Sequence, residues 1–66
     1  MQKDLNRIKV VLVEKNRTGK WLAENLGFST CAVSRWCSNK AQPDLNTLDR
    51  IANLLGVEMK DLLKNN

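Results

Sequence analysis

Apolar residues recur along this chain at the three- and four-residue spacing that places them on one face of an α-helix. Leu5, Ile8 and Leu12 show this spacing first, and they predict an amphipathic helix over about 3–15. The same pattern then recurs in shorter segments separated by a few residues. It predicts four further helices, over about 19–26, about 30–38, from 45 or 47 to 55, and over about 58–64.

Residues suited to helix ends stand at the boundaries of these segments. Thr18 and Ser29 each precede a predicted helix, where a side-chain oxygen can accept a hydrogen bond from a free backbone N–H. Either Asp44 or Asn46 can cap the fourth helix in the same way. Three predicted helices are followed by residues that tolerate a positive φ, namely Gly27, Asn39 and Gly56.

Together the five segments predict a single, compact all-α domain over 1–66, with its core over about 5–63 and no candidate strand pair. The 66 residues are near the lower limit for folding on a hydrophobic core alone, and an apolar share of 42% is ordinary for a globular protein. No apolar run approaches the ~20 residues that cross a bilayer, and the first residues do not resemble a signal peptide. We therefore expect a cytoplasmic protein without a membrane partner.

The chemistry available to the chain argues against an enzyme or a metal site. The sequence has no histidine, no paired carboxylates in an evident cleft and no phosphate-binding loop. Cys31 and Cys37 are six residues apart, so on one helix they are separated by about 240° of rotation and ~9 Å of rise, point apart, and can form neither a disulfide nor a zinc site. We expect reduced thiols, no cofactor and no small-molecule substrate. The net charge of +4, with an isoelectric point near 9.4, instead favours a polyanionic partner.

The segment 19–38 has the organisation of two helices joined by a tight turn. Ala23 stands in the middle of the first helix, because two steeply crossing helices need a small side chain where they touch. Gly27 supplies the positive φ for the reversal, and Val33 stands in the middle of the second helix. A second helix held out in this way can enter the major groove of DNA with its N-terminal end first.

Further motif residues extend this pattern through the rest of the chain. They are Leu22-Ala23-x-x-Leu26-Gly27-x-Ser29, Val33-Ser34-Arg35-Trp36, Pro43, Leu48, Ile51-Ala52 and Leu55-Gly56-Val57. With them the chain resembles, over about 5–63, the phage repressor and Cro type of helix-turn-helix protein, also called the XRE family. The resemblance implies a five-helix fold of the lambda-repressor type, with helices 2 and 3 as the helix-turn-helix, and a bacterial or phage-derived protein.

The resemblance also implies which residues meet DNA. The third helix would be the recognition helix in the major groove. Its base-reading residues would be Thr30, Cys31, Ala32 and Arg35. The residues that contact DNA phosphates would be Thr18, Gly19, Lys20, Ser34, Ser38 and Lys40. Because the third helix is poor in Asn and Gln, base readout would rest largely on Arg35, and modest specificity would follow.

Three positions depart from the pattern of the family. Many relatives carry glutamine where Gly19 stands, glutamate where Cys37 stands and glycine where Asn39 stands. The glutamine commonly binds a phosphate, so at Gly19 only backbone N–H groups remain for that contact.

Several hydrophobic residues have two possible roles at this point. Trp36 is predicted to anchor the core, whereas Trp21 either covers the seam between the first two helices or lies against the DNA backbone. Leu54, Leu62 and Leu63 belong either to the core or to a dimer face.

The favoured function is that of a sequence-specific transcriptional regulator, most simply a repressor, whose partner is double-stranded DNA. A homodimer is expected at least on DNA, because one recognition helix reads few base pairs. The alternative is a protein-interaction module on the same fold, for example an antitoxin, with weak or no specific DNA binding.

Overall fold

Five α-helices form within residues 5–63, the part of the chain that the computed structural model describes. They are α1 (Ile8–Glu14), α2 (Gly19–Leu26), α3 (Thr30–Cys37), α4 (Leu45–Leu55) and α5 (Met59–Leu62). The predicted all-α, five-helix fold is confirmed. The helix α3 ends one residue earlier than predicted. The helix α5 is shorter than the predicted range of 58–64, and residue 64 of that range lies outside the described part of the chain. Within residues 5–63 no helix has the length and apolar character to cross a bilayer.

The first helix begins later than the apolar spacing predicts. It starts at Ile8, whereas the predicted helix covered 3–15 and included Leu5 on its apolar face. Residues 3 and 4 lie outside the described part of the chain. Leu5 precedes the helix and is 47% exposed, so its predicted place in the core is wrong. Ile8 and Leu12 are buried as predicted, together with Val11.

The segment before α1 does not continue the helix because its backbone groups are bonded to distant parts of the chain. The N–H groups of Leu5 and Asn6 both donate to Oδ1 of Asn39, each at 2.9 Å. The N–H of Arg7 donates to the carbonyl of Leu62 at 2.8 Å. These long-range bonds replace the i to i+4 bonds that a helix would make here, and local apolar spacing carries no information about them.

Side-chain oxygens cap three helices at positions that the sequence indicates. The hydroxyl oxygens of Thr18 and Ser29 each accept a hydrogen bond from the N–H three residues further on, at 3.0 and 3.1 Å. Of the two candidates for α4, Asp44 is the cap, since its Oδ1 accepts from the N–H of Thr47 at 2.8 Å. The residues predicted to tolerate a positive φ adopt one, at 78°, 61° and 69° for Gly27, Asn39 and Gly56.

The Asp44 cap makes stability depend on pH. Hydrogen bonds from the backbone and side chain of Thr47 lower the pKa of Asp44 below its ordinary value of 3.8. Because the folded-state pKa is the lower one, the stabilisation is complete above about pH 4 and is lost as the pH falls through the folded-state value. We expect Asp44→Asn, whose amide caps without titrating, to lose less stability on acidification. Urea denaturation at about pH 5 and about pH 2.5 measures this, and equal losses in both proteins would contradict it.

All five helices contribute to one hydrophobic core. Its largest fully buried side chains come one from each helix: Ile8, Leu22, Val33, Ile51 and Leu62. Trp36 is 7% exposed, and its ring packs edge-to-face against Phe28 with the centroids 5.1 Å apart. The predicted role of Trp36 as a core anchor is confirmed.

The leucines near the C-terminal end of the fold divide between core and surface. Leu62 is fully buried and belongs to the core, whereas Leu54 and Leu63 are 38% and 43% exposed. The chain leaves the helix at Leu63, which forms an isolated antiparallel bridge with Asn6. The sequence pattern indicated no such pairing, because its two residues are far apart in the chain.

Candidate nucleic-acid interface

The turn between α2 and α3 contains three residues, 27–29. It begins with Gly27, whose N–H donates to the carbonyl of Ala23 at 2.9 Å. Nη2 of Arg50, on α4, donates to the carbonyl of Leu26 at 3.1 Å. These bonds satisfy carbonyls in the last turn of α2 and help to fix the direction in which the chain leaves it.

The helix α3 presents one face to the core and the opposite face to solvent. Val33 and Trp36 are its buried residues. At about 100° per residue, the opposite face is centred on Cys31, with Ser34 and Arg35 to either side of it. All three of these residues are exposed. The helix therefore packs against the domain with one face. Its opposite face is exposed and could be inserted into a groove of DNA.

The structure brings two of the four predicted base-reading residues, Cys31 and Arg35, onto this outer face, whereas Thr30 lies about 100° from Cys31 around the helix axis, on the side of α1 and α2. Thr30, Cys31 and Arg35 are exposed. Ala32 is half-buried and packs against the core, so only part of its surface is accessible. A shallow hollow beside Ala32 is shared with Cys31, Arg35 and Ala41.

A groove of about 420 Å³ lies on the other side of α3, between that helix, the start of α2 and α1. We call it the α2 groove. Four of the six predicted phosphate-binding residues line it: Thr18, Gly19, Lys20 and Ser34. The other two, Ser38 and Lys40, lie beyond the C-terminal end of α3. The Ser38 hydroxyl donates to the carbonyl of Ser34 at 3.0 Å, and Lys40 is exposed.

Two basic residues that sequence reasoning missed also line the α2 groove. They are Lys9, on α1, and Arg17, in the loop before α2. The guanidinium carbon of Arg17 lies 4.6 Å from the centroid of the Trp21 ring, which is a cation–π arrangement. Trp21 is half-buried and packs against the core, which favours its covering role over contact with DNA. The one signal in the sequence for this groove was the four-residue spacing of Lys9 and Val13, which places both on the same side of α1.

Cys37 forms part of the floor of the α2 groove as a neutral thiol. It is half-buried, and burial raises the pKa of this thiol above 9.0, although the nearby charge of Lys9 opposes the shift. Cys31 and Cys37 are both free thiols, as predicted. At neutral pH the floor of the groove therefore carries no negative charge from this side chain.

Comparisons with known proteins give the family. The model of the Cro/C1-type HTH DNA-binding domain matches residues 7–66. The chain is 34% identical over 58 residues to YonR of Bacillus subtilis (strain 168), an uncharacterized SPbeta prophage-derived HTH-type transcriptional regulator. The aligned part is 88% of this chain and 54% of YonR, so the chain spans about half the length of that relative.

A solved structure agrees with this match. The crystal structure of a candidate DNA-binding protein from Bacteroides fragilis is 57% identical in sequence and superposes with a TM-score of 0.90. The superposition covers 91% of this chain and 97% of that one. The predicted resemblance to XRE-type helix-turn-helix proteins is thereby confirmed, and the chain belongs to the family of Cro/C1-type helix-turn-helix DNA-binding domains.

Proposed function

We propose that this chain is a sequence-specific, double-stranded DNA-binding transcriptional regulator that places α3 in the major groove. The observation that carries the proposal is the uncovered outer face of α3 beside a groove lined by basic residues. A helix on DNA needs a free face for base edges and cations beside it for the phosphates. Repression is the simplest outcome, because a small protein bound at its operator competes with other proteins for the same DNA.

Base readout in this proposal depends mainly on Arg35. Its exposed guanidinium can donate two parallel hydrogen bonds to O6 and N7 of a guanine. Thr30 and Cys31 make smaller contacts with base edges or thymine methyl groups. Ala32 contributes only through its accessible edge, because the rest of the side chain packs inside. Specificity therefore comes largely from one side chain.

The proposed phosphate contacts lie in two places, one in the α2 groove and one beyond the C-terminal end of α3. Thr18, Gly19, Lys20 and Ser34 meet the backbone at the α2 groove, where the first N–H groups of α2 favour an anion. Lys40 and Ser38 meet it beyond the other end of α3. Contacts at two ends of one helix fix its register along the groove without reading sequence.

We further propose that the chain binds its operator as a homodimer. One α3 spans few base pairs, and a two-fold pair of domains doubles the length of DNA that is read. The exposed leucines Leu54 and Leu63, near the C-terminal end of the fold, are available for such a contact. We propose that the protein acts in the cytoplasm and is of bacterial or phage origin. The prophage-derived relative supports this origin.

Amide chemical shifts during titration with a short duplex at low salt test the proposal. We expect the largest changes at the start of α2 and along the N-terminal half of α3, because those backbone groups lie at the interface. Changes confined to other surfaces, or none at all, would contradict DNA binding by this face. The latter result would favour the alternative of a protein-interaction module.

Gly19 offers a gain-of-function variant. A Cβ at this position would lie 3.5 Å from Cγ1 of Val33, which is ordinary van der Waals contact, and the φ of Gly19 is not in the positive region. We expect Gly19→Ala to raise the free energy of unfolding by about 0.5 kcal/mol. Gly19→Gln should tighten DNA binding several-fold by adding a phosphate contact. Urea denaturation and fluorescence anisotropy measure the two effects, and weaker binding by the glutamine variant would contradict the phosphate role of this position.

A further inference from the structure

The α2 groove is assembled from three separate parts of the chain. Lys9 comes from α1, Arg17 and Thr18 from the loop before α2, and Ser34 from α3. The apolar side chains of Leu12 and Val13 and the thiol of Cys37 also line it. The groove therefore extends beyond the helix-turn-helix, and its chemistry depends partly on a helix outside that motif.

The charge inside the groove is positive and uncompensated. Three of its lining residues are cationic, Lys9, Arg17 and Lys20, and none carries a carboxylate. Within residues 5–63 the one salt bridge joins Lys60 to Glu58 at the start of α5. No acidic side chain in that part of the chain therefore pairs with the groove cations. Cys37 does not balance them either, because burial keeps its thiol protonated.

Residues with hydrogen-bond donors also line the groove. The Thr18 side chain caps the Trp21 N–H, while the N–H groups of Gly19 and Lys20 belong to the first turn of α2 and have no intrahelical acceptor. The hydroxyls of Thr30 and Ser34 stand opposite, on α3. Cations, backbone N–H groups and hydroxyls are the groups that bind a phosphate.

We propose that the α2 groove binds one backbone phosphate of DNA and that Lys9 and Arg17 are contacts to it. The inference rests on the proposed function and adds two residues to it. Stacking on Trp21 restricts the Arg17 side chain before DNA arrives, so less of its freedom is lost on binding. The same chemistry could hold a free phosphate ion, and the experiment distinguishes the two sources.

The test is the salt dependence of binding to a duplex, measured for the double variant Lys9→Gln/Arg17→Gln. Each phosphate that a protein neutralises contributes about 0.9 to the slope of log affinity against log salt concentration. Because Lys20 remains in the groove, we expect the double variant to lose most of this contribution of about 0.9 and Lys9→Gln alone to lose a smaller part of it. Lys15→Gln is the matched control, since Lys15 is exposed at the end of α1 and does not line the groove.

Each outcome bears on a different part of the account. If the wild-type protein binds DNA and the double variant keeps the full slope, the assignment of Lys9 and Arg17 fails while the proposed function stands. If the wild-type protein does not bind DNA, the proposed function itself fails. Titration with inorganic phosphate, followed at the amides of Gly19 and Lys20, completes the test. Saturation there together with an unchanged DNA slope would assign the groove to a free anion and overturn the proposal.

Discussion

Asn6→Ala is expected to lower the free energy of unfolding by about 2–3 kcal/mol, a large part of the stability of so small a domain. Asn6 is 5% exposed, and all of its side-chain polar atoms are used. Its Oδ1 accepts from the N–H of Ile8 at 3.1 Å at the start of α1. Its Nδ2 donates to the carbonyl of Trp36 at 2.9 Å and to Oε1 of Gln42 at 2.6 Å.

Alanine would leave the N–H of Ile8 without its acceptor in a buried place, whereas the carbonyl of Trp36 would keep the N–H of Asn39 at 3.1 Å. The cost exceeds that of an ordinary hydrogen bond, because a buried helix N–H loses its partner and the two bonds donated by Nδ2 are lost with it. Thermal unfolding should show a fall in Tm of roughly 10–20 °C. The matched control is Asn25→Ala, since the Asn25 amide also donates to a backbone carbonyl, that of Trp21, but is exposed. Equal small losses in the two variants would contradict the structural role of Asn6.

Arg35→Ala is expected to weaken binding to the preferred duplex by about 10- to 100-fold, corresponding to about 1–3 kcal/mol. The loss on an unrelated duplex should be much smaller, because base contacts contribute little to nonspecific binding. Arg35→Lys should recover only part of the specific affinity, since an ammonium cannot present the two parallel donors of a guanidinium. Fluorescence anisotropy with both duplexes measures these affinities.

The control for Arg35 is Lys60→Ala. Lys60 is an exposed cation of the same sign, but it lies on α5 and pairs with Glu58 at 3.3 Å. Its removal changes the net charge by the same amount without touching α3. If Arg35→Ala and Lys60→Ala reduce affinity equally on both duplexes, Arg35 acts through charge alone and the proposed base readout is wrong.

The parts of the fold that the sequence predicts are those decided by neighbouring residues. Thr18 and Ser29 cap the helices that follow them because a hydroxyl needs only the N–H three residues further on. Gly27 ends α2 because its left-handed conformation is a local property. The limits of α2 and the inward direction of Trp36 follow from such local signals together with helical spacing.

The start of α1 could not be predicted in this way. Asn39 stands 33 residues away from Asn6, yet its side chain binds the backbone of residues 5 and 6. This contact gives asparagine a role at the end of α3 that glycine could not fill, because glycine has no side chain. Asn39 tolerates the positive φ of 61° and adds a side chain that ties the N-terminal segment to the end of α3.

The candidate site was predictable to the extent that it belongs to the helix-turn-helix. Arg35 and Lys20 follow from positions within that motif. Lys9 does not, because the α2 groove exists only after α1 packs beside α3. The accessibility of Ala32 could not be predicted either. Helical spacing leaves this residue at the edge of the buried face, and the packing of the domain decides how much of it is exposed.

Selection of bound duplexes from a random DNA pool at near-physiological salt tests the central claim most directly, with the wild-type protein beside Arg35→Ala. We expect the wild-type protein to enrich a palindrome whose half-sites lie about one helical turn apart, and the variant to enrich it much less. A failure of the wild-type protein to enrich any sequence, with the variant behaving alike, would contradict sequence-specific recognition by α3.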